Sequence, residues 1–273
     1  MKKFTTILLF ISILFTAFVL SSCFSSNEQE DEKYDNLKFM SYGDEYYVLK
    51  CNEDATSIEI PSHYKGKPVT RIHQSAFSNC YALTTIKIPN TITSIGELAF
   101  YNCTSLKRIV IPNSVTKIER AAFSNCDELK SISLSKNITE ISNNTFFKCS
   151  SLKTIFIPDN VKSIGEGAFF HCTDLENVFC SSDLKEIGAL AFSDCSNLVG
   201  IDLENTKLTK IGGQAFYKCS SLTSIIIPSS VKIIGRSAFA DCKNLFIVCE
   251  FPYKPSGWND DWCYNVYGVH WNK

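Results

Sequence analysis

Apolar positions along this chain follow two rhythms that recur together. In the segment Leu106-Lys-Arg-Ile109-Val-Ile111-Pro112, Ile109 and Ile111 stand two apart, which puts both side chains on one face of a strand. Pro112 has no N–H to give to a ladder, so the strand is expected to end there. Pro89, Pro158 and Pro228 hold the same place, and Pro61 holds it in a half-rung nearer the start. Val115 and Ile118 follow at a spacing of three and turn the chain back toward the core. Ala122, Phe123 and Cys126 then lie three to four apart, a spacing that predicts one helical turn with all three pointing inward. Gly96, Gly165, Gly188, Gly212 and Gly235, or Ser142, precede that turn as expected N-caps, whereas His73 and Glu119 depart from the preference.

This unit returns eight times. Its phenylalanines are Phe77, Phe100, Phe123, Phe146, Phe169, Phe192, Phe216 and Phe239, and its cysteines are Cys80, Cys103, Cys126, Cys149, Cys172, Cys195, Cys219 and Cys242. The period is 23 residues, with one step of 24. A fixed period of this length marks a solenoid, in which no unit can bury its apolar edge alone and stacking is compulsory. The array spans 72–248, behind a front cap at 36–71 that contains a degenerate rung from Ile58. In that cap Tyr46-Tyr47-Val48-Leu49 reads as strand and Tyr64 to Pro68 as a turn. At the back, 249–273 loses the period and carries Trp258, Trp262 and Trp271, expected to plug the last rung.

The chain begins with Lys2 and Lys3, then an uncharged apolar run from Phe4 to Leu20, then Ser21-Ser22-Cys23. That order describes a secretory leader over 1–22. The small-small-Cys ending looks like a bacterial lipobox, which implies cleavage before Cys23 and lipidation of its thiol, and so a lipid link to a membrane. An uncleaved anchor would leave Cys23 unexplained, and the run is at the short limit for crossing a bilayer. Residues 23–35 are polar and acidic and read as a flexible tether.

Formal net charge is −1, and removing 1–22 takes two lysines and no acids, leaving −3. There is no bulk electrostatic case for nucleic acid. The cysteines form no C-x-x-C pair, which argues against a metal site, and eight of them recur where a small buried group is wanted. Cys180 falls at an inward strand position, and Cys51, Cys249 and Cys263 in the caps are the better disulfide candidates. His63, His73, His171 and His270 are scattered, so no catalytic constellation and no cofactor site is read.

The pattern L-x-x-I-x-I-P-x-x-V-x-x-I resembles the BspA-like class of bacterial leucine-rich repeats, from Ile72 to about Val248. The resemblance implies an α/β leucine-rich repeat solenoid, with parallel strands on a concave face and short helical turns on the convex side. It also implies a monomeric, non-catalytic surface lipoprotein of the bacterial envelope. Such a protein adheres to host matrix or plasma proteins or to other bacterial cells. Two other roles stay open: an envelope scaffold that binds bacterial proteins, and a binder of cell-surface glycoconjugates through exposed aromatics.

Stacking the outward strand positions brings two features together. Lys107, Lys130 and Lys153 form a basic column over three adjacent rungs, flanked by Arg108 and Lys87. Phe156 and Phe179 stack beside it where solvent would favour polar groups. Like charges repeated along a sheet do not help folding, so these seven residues are the candidate binding site. Lysines on an exposed strand also keep a surface soluble, and the residues alone leave both readings standing. Phe147 and Phe170, on the convex side, are read as packing partly between adjacent turns.

Overall fold

The computed structural model describes residues 32–272, which wind into a stack of ten rungs. The expected leader, Cys23 and the tether as far as residue 31 lie outside the described residues. Each rung gives one strand to a parallel array, here sheet A, whose ladder runs in four segments. Its strands are Ser57–Glu59, Thr85–Lys87, Arg108–Val110, Ser131–Ser133, Thr154–Phe156, Asn177–Phe179, Gly200–Ile201, Ser224–Ile227, Phe246–Cys249 and Gly268–Trp271. Register keeps the inward isoleucines in line, with Ile109 beside Ile132 and Ile155 beside Val178.

A second parallel sheet, sheet B, runs along the stack. It comprises Glu45–Cys51, Lys67–Ile72, Ser94–Ile95, Lys117–Ile118, Glu140–Ile141, Ser163–Ile164, Glu186–Ile187, Lys210–Ile211 and Ile233–Ile234. The stretch read from sequence as a mere return toward the core is therefore a strand. In each of its regular two-residue strands the second residue, an isoleucine, is buried and its neighbour faces out.

The expected helical turn does not form: between residues 36 and 272 the chain contains no helix. Two consecutive turns occupy that place, each marked by a left-handed residue, for example Leu98 (φ 56°) and Asn102 (φ 59°). The reason lies in where the N–H groups go. Those of Leu98, Phe100 and Asn102 donate to the next rung, at Arg120, Ala122 and Ser124, while those of Ala99, Tyr101 and Cys103 close turns within their own rung. A helical turn would point these N–H groups along its own axis, with none directed at the adjoining rung, and leave the rungs unstitched. Left-handed backbone at a non-glycine residue costs about 1–2 kcal/mol, and the inter-rung bonds offset it.

The glycines that precede these turns are not helix caps. A Cβ on Gly188 would lie 2.7 Å from the backbone N of Glu166, and one on Gly235 would lie 2.4 Å from that of Gly213. They are glycine because the neighbouring rung's backbone already fills the space.

The eight phenylalanines form one interior row of fully buried rings, stacked at 4.9–5.7 Å. Trp262 meets Phe239 edge-on at 89° and ends the row. Trp258 and Trp262 are buried and Trp271 half-buried. The tail also does more than plug. Gly268–Trp271 pairs in parallel with Phe246–Cys249, and Trp258 bridges to Ile234, so the aperiodic segment winds a further rung. At the front, Leu37–Tyr42 pairs antiparallel with Glu45–Cys51 across Gly43. His63–Tyr64 and Lys67–Ile72 form a hairpin turned by Lys65 and Gly66 at positive φ.

The cysteine row lies beside the phenylalanines. Each thiol from Cys103 to Cys242 donates to the carbonyl of the phenylalanine in the preceding rung at 2.9–3.2 Å, as Cys126 does to Phe100. All twelve described cysteines are free thiols, including the cap candidates Cys51, Cys249 and Cys263. Burial pushes the thiols of Cys126, Cys172, Cys195 and Cys219 well above their ordinary value. It raises half-buried Cys180 to about 12 and half-buried Cys263 to about 11. A raised thiol pKa stabilises the fold fully below the unfolded value near 9 and is lost as pH climbs toward the folded one. Iodoacetamide on the native protein at pH 8 is thus expected to label Cys180 and Cys263 first. The buried row should react only after unfolding, and rapid native labelling of Cys126 or Cys172 would refute the packing.

Candidate functional site

The outer face of sheet A, with the residue just before each strand, carries every residue of the expected binding set. Lys87, Lys107, Arg108, Lys130, Lys153, Phe156 and Phe179 are all exposed. Register places Phe156 directly beside Phe179, and their rings stack at 4.6 Å and 6° with 65% and 50% of their surface in solvent. Val110, 66% exposed, stands two rungs before Phe156 with Ser133 between them, in register with Val110. The pair meets solvent because an outward strand position has nothing above it.

The basic column is only partly bare. Lys107 faces Glu128 at 3.9 Å, Lys153 faces Glu176 at 3.8 Å and Lys87 pairs with Glu59 at 2.5 Å. Exposed pairs of this kind contribute little to stability, yet they cancel charge locally. Arg108 and Lys130 make no ion pair among the described residues, so the excess positive charge gathers on two adjacent rungs beside Val110, Ser133 and Phe156. Glu128 came into this picture only through the fold, since it lies in the turn before the strand.

The face changes sign along its length. Beyond Phe179, Asp202 and Glu204 are exposed acids, while exposed Glu176 lies in the rung of Phe179 itself and faces Lys153. Val199, Gly200 and Asp202 frame a shallow recess of about 290 Å³ against Phe179. Gly200 lines that recess without a side chain to fill it, a feature the rung pattern alone did not single out.

Sheet B carries its own outward trough, lined by Lys117, Glu119, Arg120, Glu140, Glu166 and Glu186. Most of its charges are engaged: Lys117 with Glu119 at 2.8 Å, Arg120 with Glu97 at 3.3 Å and Glu186 with Lys210 at 3.6 Å, while Glu140 and Glu166 form no ion pair among the described residues. The Glu119 bond raises the Lys117 pKa. Among the described residues no group of three or more His, Cys, Asp or Glu side chains is placed to hold a metal ion. Phe147 and Phe170 stack at 5.0 Å on the turn side and are half-buried, with the Lys148 ammonium 5.5 Å from the Phe147 ring.

The sequence profile described as BspA type leucine rich repeat region matches residues 45–176 and 139–252, in six copies. A T. pallidum leucine-rich repeat protein is similar in structure, with a TM-score of 0.65 and 29% identity over 69% of this chain and 89% of that one. A leucine-rich cell surface protein from Faecalibacterium prausnitzii A2-165 gives a TM-score of 0.59 and 33% identity over 78% of this chain. This chain spans 53%, about half, of that protein's length. No curated protein matches the chain. Ten stacked rungs, two parallel sheets and the repeated Phe and Cys rows agree with the profile, and the chain belongs to the BspA-type leucine-rich repeat family.

Proposed function

We propose that this chain is a surface-anchored, non-catalytic protein-binding module that adheres to host matrix or plasma proteins, or to other bacterial cells, through the outward face of sheet A. One observation carries the reading: a stacked, solvent-facing aromatic pair beside unpaired Arg108 and Lys130. Interface hot spots are enriched in aromatic and arginine side chains, and the two unpaired cations have no evident folding benefit. The cell-surface description of the F. prausnitzii protein supports an outside location. The Cys23 lipid would supply the tie to the envelope.

The test replaces Lys107, Lys130 and Lys153 with serine and Phe156 and Phe179 with threonine. All five side chains are exposed, so the fold is expected to survive. Adhesion to immobilised extracellular-matrix and plasma proteins should fall to background. Undiminished adhesion would remove the sheet A reading. Protease shaving of intact cells checks the location: a protected chain would favour the envelope-scaffold role, in which the partners are other bacterial proteins.

A further inference from the structure

Both ladders break together at one junction, and that junction lies beside the exposed aromatic pair. The ladder of sheet B is interrupted between Lys117–Ile118 and Glu140–Ile141, and that of sheet A between Ser131–Ser133 and Thr154–Phe156; sheet A also breaks between Thr85–Lys87 and Arg108–Val110 and between Gly200–Ile201 and Ser224–Ile227, where no break of sheet B coincides. Among the described residues the Ser142 hydroxyl, not its N–H, bonds the Ile118 carbonyl, at 2.6 Å. Between the two coincident breaks Phe123 and Phe146 stand 5.7 Å apart, the widest step in the interior row. On the outside, the same junction separates Ser133 from Phe156.

Ser133 is the small member of an apolar line. Val110 precedes it, Phe156 and Phe179 follow, and only Ser133 carries no bulk. Rungs repeat about every 4.8 Å, and the outer rings already stack at 4.6 Å. One more ring laid on the free side of Phe156 would therefore sit over Ser133, with Val110 as the opposite wall. Arg108 and Lys130, the two cations of the set without an acid, lie beside that slot; Glu176 is engaged by Lys153, and the acids Asp202 and Glu204 lie on the far side of Phe179.

We infer that the slot over Ser133 receives an aromatic side chain of a protein partner, flanked in the partner's sequence by aspartate or glutamate that pairs with Arg108 and Lys130. The inference rests on the sheet A reading and names the partner's chemistry there. The inserted ring extends the Phe156–Phe179 stack to three. The acids choose the basic half of the face over the recess beside Gly200, whose rim would repel them.

The probe is an N-acetylated, C-amidated synthetic peptide Glu-Asp-Tyr-Asp-Glu, titrated into the purified protein by calorimetry at low salt. Saturable binding is expected, weakened at least about tenfold when the tyrosine is replaced by alanine and abolished when the acids are replaced by lysine. Ser133→Phe should block the peptide by filling the slot with the protein's own ring, while Ser133→Ala leaves binding intact. The Tyr-to-Ala peptide needs no protein variant, so the result does not depend on how Ser133→Phe folds. No saturable binding at millimolar peptide, indifference to the tyrosine, or unaltered binding by a folded Ser133→Phe protein would each overturn the inference. So would a dimer in sedimentation that Ser133→Phe dissociates, since the slot would then serve a second copy. A failed peptide together with matrix adhesion that still needs Phe156 and Phe179 removes the slot and keeps the sheet A reading. Adhesion indifferent to the fivefold variant removes both.

Discussion

Phe123→Ala is expected to destabilise the protein by about 3–5 kcal/mol, a large part of the stability of an ordinary domain. The ring is fully buried and stacks on Phe100 at 5.1 Å and Phe146 at 5.7 Å. Truncation leaves a void that backbone collapse cannot close, because the turns on either side are stitched rung to rung. Phe123 N–H donates to Thr145 at 2.9 Å, and Phe100 N–H donates to the Ala122 carbonyl at 2.7 Å. In a stack whose stability sums over neighbouring interfaces, the damage should be local at first. Amide exchange should quicken from about residue 95 to 160 before the ends respond. The junction between Phe123 and Phe146 already lacks its strand ladders, so it is the expected breaking point. A denaturant midpoint shifted by less than 1 kcal/mol equivalent would mean that the row is not the principal glue.

Gly212→Val carries the second large effect. An ideal Cβ at Gly212 would lie 2.3 Å from the backbone N of Ala189 and 2.5 Å from the carbonyl carbon of Gly188. Neither atom belongs to a flexible side chain, so the rungs themselves would have to part. Overpacking typically costs 1–3 kcal/mol and more where nothing can give, and about 3 kcal/mol or more is expected here. Gly213→Ala is the matched control: its Cβ would meet Arg236 O at 3.2 Å, with the next atom at 3.7 Å, and a change under about 1 kcal/mol is expected. Equal midpoints for the two variants in urea would contradict the close approach.

Much of this arrangement is legible in the residues. The row of Phe77 to Phe239 follows from its constant step, because equal spacing in a stacked repeat places equal residues one above another. The outward position of Arg108, Phe156 and Phe179 follows from the two-residue alternation of a strand, whereas Lys107 and Lys130 stand just before their strands. Other features were beyond that reach. Ala122, Phe123 and Cys126 suit a helical turn and a double turn alike, and the choice between them depends on carbonyls 22 residues away, such as Asn143 for Ala121. Two-residue strands such as Lys117–Ile118 are too short to show alternation. The last rung carries no repeat signature, yet the Gly268–Trp271 backbone completes the sheet.

The candidate site divides in the same way. The columns of lysine and phenylalanine could be drawn from the repeat, but not the acids opposite Lys107 and Lys153, nor the loosened junction beneath Ser133.

Period and alternation alone determined that the chain stacks, which side chains go inside, and which face water, because those are local facts of spacing and apolar burial. Tertiary structure decided how the turns are built, which cations stay unpaired and where the stack yields, because each depends on groups that meet only once one rung lies on the next.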